Sequence, residues 1–240
     1  MKKIILLTLF LCMKFSLMVL GQRQLFKVQY DQTNQGADHQ NYNLYLYENF
    51  SHFILDFDNE LFLTESDNFK NVRSKNSKKF KFYLIKDYKN KFLIKPTSVG
   101  IVKDSLKLIK WNIGKGDKNV LGYACKKASC QFRGRNYIAY YTPKIAIPDG
   151  PYKFCGLPGL ILEIYSEDNF IRLEAKLIQR GDGSKIELPK EMYNKHIDFK
   201  EYIKNRTEQL EEFAKKREAR LPIEKQGLKF SVKIEELEKF

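Results

Sequence analysis

The amino-acid sequence predicts a mainly β fold: a strongly curved antiparallel sheet or incomplete barrel with one C-terminal amphipathic helix packed on it. Apolar and polar residues alternate in short runs across most of the chain after residue 40, and turn residues separate those runs. A helical apolar period occurs in a single late segment. A period of two sends neighbouring side chains to opposite faces, so many short runs joined by turns specify antiparallel strands with one wetted face.

The elements follow in order. Leu44 and Leu46, with Tyr45 and Tyr47 between and after them, form one strand, and Ser51, Phe53, Leu55 and Phe57 form the next. Glu48 and Asn49 lie between them at hairpin spacing. Residues 64–78 are rich in Lys, Asn and Ser and read as a surface loop. Phe80, Phe82 and Leu84 alternate with Lys81 and Tyr83; 86–90 turn the chain; Phe92 and Ile94 alternate with Leu93 and Lys95. A further pair is expected at 97–103 and 105–113, the latter carrying Trp111, with a flexible turn over 114–119. The strongest hairpin joins Leu160, Leu162 and Ile164 to Ile171, Leu173, Ala175 and Leu177 through Glu167, Asp168 and Asn169. In 198–219, Phe199, Tyr202, Ile203, Leu210, Phe213 and Ala214 recur at helical steps opposite a charged face. Asp198 is placed to cap that helix and Pro222 to end it. The helix is expected to lay its apolar stripe on the sheet, a partner-binding or membrane-surface helix being the alternative. Leu228, Phe230, Val232 and Ile234 suggest a final strand.

The chain opens with Met1, Lys2 and Lys3, continues with an apolar run over 4–12, and reaches Val19, Leu20 and Gly21 before the polar Gln22. That order predicts a secretory signal over 1–21, cleaved after Gly21, and a periplasmic or secreted protein. Lys14 and Ser16 break the run short of a spanning helix. Residues 22–240 are long enough for one domain with its own core. Lysine and arginine number 43 against 29 acids, a net charge of +14. Export argues against nucleic acid as the partner, and Lys79, Lys81, Lys86, Lys89, Lys91 and Lys95 are scattered along strands rather than massed on a helix. Solvated strand faces explain them; attraction to an anionic envelope surface is the functional alternative.

The stretch 121–165 differs from the rest. Gly122-Tyr123-Ala124-Cys125-Lys126-Lys127-Ala128 leads to Phe132-Arg133-Gly134-Arg135 and Tyr137-Ile138-Ala139-Tyr140-Tyr141-Thr142. Gly150-Pro151-Tyr152-Lys153-Phe154-Cys155-Gly156-Leu157-Pro158-Gly159-Leu160-Ile161 follows. This resembles the GLPGLI family of exported Bacteroidetes proteins, which is named for the hexapeptide at 156–161. The resemblance implies an envelope setting and brings no established activity. Physically, Gly156, Pro158 and Gly159 set a sharp approach to the following strand. Tyr152, Lys153, Phe154 and Leu157 then form either a corner that plugs the end of the sheet or a rigid platform for a ligand or partner.

Cys125, Cys130 and Cys155 remain after the leader, an odd number. Cys125 and Cys130, five apart in one strand, face opposite ways. A bridge from Cys155 to either suits an oxidising envelope, with Cys125–Cys155 the preferred pair and free buried thiols the alternative. His39, His52 and His196 lack ligand spacing, so no metal site is expected. No cofactor is implied, and no catalytic residue is assigned, including among Glu163, Glu167 and Asp168. Fourteen tyrosines and eighteen phenylalanines favour a non-enzymatic envelope protein that holds an apolar ligand, lipid or protein segment in the concave sheet. The alternatives are a protein–protein accessory of an outer-membrane uptake system, using the loop at 150–158, and an unrecognised hydrolase.

Overall fold

The computed structural model describes residues 24–34, 39–55, 83–97, 99–106, 109–183 and 195–219. Their strands are β1 (Gln24–Asn34), β2 (Gln40–Tyr47), β3 (Phe50–Leu55), β4 (Tyr83–Asp87), β5 (Phe92–Thr97) and β6 (Gly100–Ser105). Then come β7 (Asn112–Val120), β8 (Tyr123–Phe132), β9 (Arg135–Thr142), β10 (Leu160–Ser166), β11 (Ile171–Arg180) and β12 (Ile197–Asp198), followed by helix α1 (Phe199–Glu218). All twelve strands join one sheet in the order β12-β6-β5-β4-β3-β2-β1-β11-β10-β9-β8-β7, so it is open rather than closed into a barrel. Pairing is antiparallel except between β12 and β6. The expected leader 1–21 and loop 64–78, Phe57, Phe80, Phe82, Pro222 and the strand expected at 228–234 lie outside the described residues.

The sheet curls strongly. Arg133, in the turn from β8 to β9, is ion-paired with Asp104 of β6. In sheet order β9 and β6 stand eight strands apart, which at ~4.8 Å per strand would separate them by roughly 38 Å in a flat sheet. Direct contact between them therefore requires the sheet to wrap most of the way round. Its inner face forms one core, to which Val28 and Tyr30 of β1, Leu44 of β2, Phe53 of β3, Leu84 of β4, Tyr137 and Ala139 of β9 and Leu173 of β11 all belong. A smaller cluster of Tyr47, Phe50, Ile85 and Ile94 covers the other side of β2–β5.

Four elements differ from the sequence expectation. The strand expected at 105–113 is not found as such: β6 ends at Ser105, and Trp111 precedes β7, which begins at Asn112. β1 lies at the centre of the sheet, between β11 and β2, and precedes the region where alternation was expected. Residues 114–119 are not a flexible turn but most of strand β7, with a pairing irregularity between Ile113 and Asp117 where Gly114 and Gly116 fall. The helix starts as expected, with Asp198 Oδ1 accepting the Glu201 N–H at 2.8 Å, and it packs on the sheet at β6 and β12. Tyr202 is buried there. The stripe does not lie along the sheet to its end: Phe213 remains 51% exposed among the described residues. No described helix is long and apolar enough to cross a membrane.

Candidate functional site

Residues 143–159 run from β9 to β10 and lie across the inner face. Four prolines (Pro143, Pro148, Pro151 and Pro158) deprive this segment of backbone donors, so it cannot continue the sheet. It closes on itself instead: the Gly156 N–H donates to Pro148 O at 2.9 Å and the Leu160 N–H to Ile145 O at 3.0 Å. Two glycines let it seat. A Cβ on Gly150 would stand 2.7 Å from Ile161 Cβ, and one on Gly159, at φ +147°, would stand 2.2 Å from the Thr142 carbonyl oxygen.

The segment is pinned from several strands. Lys86 of β4, 0% exposed, donates to the Asp149 carboxylate, to Gly150 O at 2.7 Å and to Phe154 O at 3.5 Å. An ammonium has three N–H donors, and these three acceptors satisfy it. A buried charge is tolerated only with such compensation. Burial, and then the Asp149 charge, hold the nearby Tyr88 phenol well above its ordinary range. The Tyr30 hydroxyl donates to Ile161 O at 2.6 Å and Trp111 Nε1 to Cys155 O at 2.9 Å. Phe154 packs 4.7 Å from Tyr137 and edge-on to Phe132 at 5.7 Å between ring centroids. Of the loop residues singled out in the sequence, Tyr152, Lys153, Phe154, Leu157 and Gly159 are buried, while Gly156 and Pro158 are exposed.

Lys153 also serves the seam where the curled sheet meets itself. Its ammonium stands 3.6 Å from Asp104, which the Arg133 guanidinium pairs as well. Phe199 at the start of α1 lies under both cations, 3.8 Å from Arg133 and 5.0 Å from Lys153 measured to the ring centre. Such contacts are attractive through the ring quadrupole. Beside them a cavity of about 10 Å³ is lined by Leu93, Lys95, Thr97, Val102, Lys153, Phe199 and Tyr202. That volume admits one water molecule and no larger ligand.

On the opposite face of β10, Glu163 is fully buried and accepts from Lys118 of β7 and Arg172 of β11. Lys118 also lies over the Tyr140 ring at 5.3 Å, and Arg172 over Tyr165 at 5.4 Å. Asp168 goes to a different partner, Arg135. Lys86, expected from the sequence on a solvated face at the start of a turn, is instead a buried residue of β4; its spacing from Leu84, which puts a lysine on the core face at period two, is the signal that could have placed it. Glu163 sits likewise within a run of buried residues. Neither partner was visible locally, because Asp149 and Lys118 lie 63 and 45 residues away.

The expected Cys125–Cys155 bridge is corrected: all three cysteines are free and buried. Cys125 stands near Glu163 and Lys118, whereas Cys155 stands near Lys86 and Asp149, so the two occupy different neighbourhoods. Burial pushes the Cys125 and Cys155 thiols up to about 11 and the Cys130 thiol to about 12. Thiols so shifted are weak nucleophiles near neutral pH. His39 is exposed beside Asp31 at 2.9 Å, His52 lies on β3 near Tyr45, and His196 precedes β12. Among the described residues no group of three or more His, Cys, Asp or Glu could hold a metal ion.

A family model described as a protein of unknown function (Porph_ging) matches residues 131–163, the span that holds β9, the inner loop and the start of β10. Comparison with curated proteins found no match. Two solved structures are similar. "Structure of PNGF-II in C2 space group" is 16% identical with a TM-score of 0.50, over 73% of this chain and 30% of that one. The P21 form is 17% identical with a TM-score of 0.49, over 73% and 31%. The chain thus spans less than a third of the PNGF-II chain, and the first of these likenesses shows the fold alone.

Proposed function

We propose that this chain is an exported envelope protein of the GLPGLI type that works without catalysis, by binding a partner protein through its outer surfaces. One observation carries this choice: the concave face is occupied by the chain's own residues 143–159. Phe154 and Leu157 belong to the same core as the sheet, and the cavity beside the helix has room for about one water. An apolar ligand or lipid in the concave sheet would have to displace the loop and leave Lys86 and Asp149 without each other. The raised thiols favour a binding role over a cysteine hydrolase. The address proposed is the periplasm or the exterior, after removal of 1–21, with accessory work beside an outer-membrane uptake system. Anionic envelope surfaces are a weaker attraction for the same basic chain.

The test is affinity capture with the exported chain from solubilised native envelope, together with native mass spectrometry of the chain purified from that envelope. One protein recovered in near-equal amount, competed by untagged chain, supports the proposal. A lipid retained at one per chain, with no protein partner, would replace it by the ligand-binding alternative.

A further inference from the structure

Strand β7 is a sheet edge of nine residues that pairs only with β8 among the described residues. Its outward row of backbone N–H and C=O groups is the kind of surface onto which another strand adds. Six of its first residues in succession are exposed, and Ile113 among them is 61% exposed. Gly114 supplies a second observation. Its φ is not in the left-handed region, and a Cβ there would meet nothing nearer than the Lys127 carbonyl oxygen at 3.9 Å. Neither its backbone angle nor a close contact requires glycine, unlike Gly116 at φ +129°, although both fall in the pairing irregularity. A strand glycine marks a bulge or a place where another backbone comes close, and Gly114 suits both. The exposed charge around the edge is mostly positive: Lys110, Lys115 and Lys126 against Asp117, which pairs in register with Lys126.

We propose that β7 is a docking edge for an extended, acidic segment of a partner protein, which would pair with it as a thirteenth strand. This rests on the partner-binding function proposed above. The lysines that would draw in an acidic strand also repel a second copy of the same edge, since like charges facing each other across strands are destabilising. That disfavours self-pairing and selects the partner's charge. Ile113 supplies one apolar contact on the docking strand.

The probe is a labelled peptide alternating valine and glutamate, with a valine–lysine peptide as control, added to the exported chain. Fluorescence anisotropy reads binding, and amide exchange reads where. The acidic peptide is expected to bind saturably, to slow exchange at 112–120, and to weaken as salt rises. Lys110→Glu with Lys115→Glu should weaken it about tenfold or more. Lys115→Pro, which lies in the pairing irregularity and removes an edge donor, should do the same with the circular dichroism unchanged. Equal binding of the lysine peptide, or protection at other strands, overturns the proposal. So does slow exchange at 112–120 without peptide that becomes fast on deleting 220–240, because the edge would then be occupied by the chain itself. A partner captured from the envelope that holds both variants as well as the native chain refutes the edge while leaving the partner-binding function standing. Failure to capture any partner removes the function itself.

Discussion

Gly159 and Gly114 stand at opposite ends of what a glycine does in this sheet. Gly159 has a left-handed backbone and its missing Cβ leaves room for the Thr142 carbonyl. Gly114 has an ordinary backbone and room beside it for a Cβ in normal contact with the Lys127 carbonyl oxygen. The segments around them share glycines and lysines, yet 143–159 also carries Ile145, Tyr152, Phe154 and Leu157 and fills the interior, whereas 112–120 holds only Ile113 and Val120 as large apolar residues and forms an exposed edge. The difference lies in long-range partners. Residues 143–159 meet a buried ammonium from β4 and an indole from the chain before β7. β7 meets β8 and, through Lys118, one carboxylate. Glycine and lysine that favour a turn therefore become core or rim according to the apolar residues beside them and what the rest of the sheet brings to them.

The largest effect expected is at the pin of the inner segment. Lys86→Met leaves Asp149 buried without its cation and should cost about 3–5 kcal/mol in urea unfolding. The double change Lys86→Met with Asp149→Leu should regain most of that loss, since an apolar pair of similar volume is often neutral. A double variant as unstable as the single one would show that Lys86 holds the loop through the Gly150 and Phe154 carbonyls rather than through the ion pair. Next, Gly159→Ala is expected to cost about 2 kcal/mol or more, from a strained backbone and a collision with the Thr142 carbonyl. The smallest effect is at the other end of the comparison. Gly114→Ala should leave stability within about 0.5 kcal/mol of the native chain, or raise it slightly by restricting the unfolded state. Equal losses at Gly159 and Gly114 in thermal unfolding would erase the distinction between the two segments.

Much of the sheet was legible because alternation records a half-buried face. The runs at 42–55, 92–97 and 160–177 each keep one face apolar, and all are strands. β1 carries the same signal in Phe26, Val28 and Tyr30 but follows directly on the expected leader, where apolar residues have another explanation. β7 was illegible as a strand: an edge exposed on both faces needs no alternation, and Gly-Lys-Gly-Asp-Lys has the composition of a turn. The glycines and prolines of 143–159 announced a constrained loop, but not the direction of its aromatics. Tyr152, Lys153 and Phe154 suit a platform or a plug equally well from composition. The choice depends on Lys86, 63 residues distant from Asp149. No short-range pattern reports such a contact.

The central claim is that residues 143–159 stay seated on the concave face, and Cys155 reports on it most directly. It belongs to that segment, its thiol is buried, and its carbonyl is held by Trp111. In native buffer, peptide-resolved alkylation of Cys155 should proceed no faster than global unfolding, in step with Cys130 of the sheet. Rapid labelling of Cys155 while Cys130 stays protected would mean that the loop leaves the sheet in the folded protein. The concave face would then be open to a ligand, and the seated loop would be contradicted.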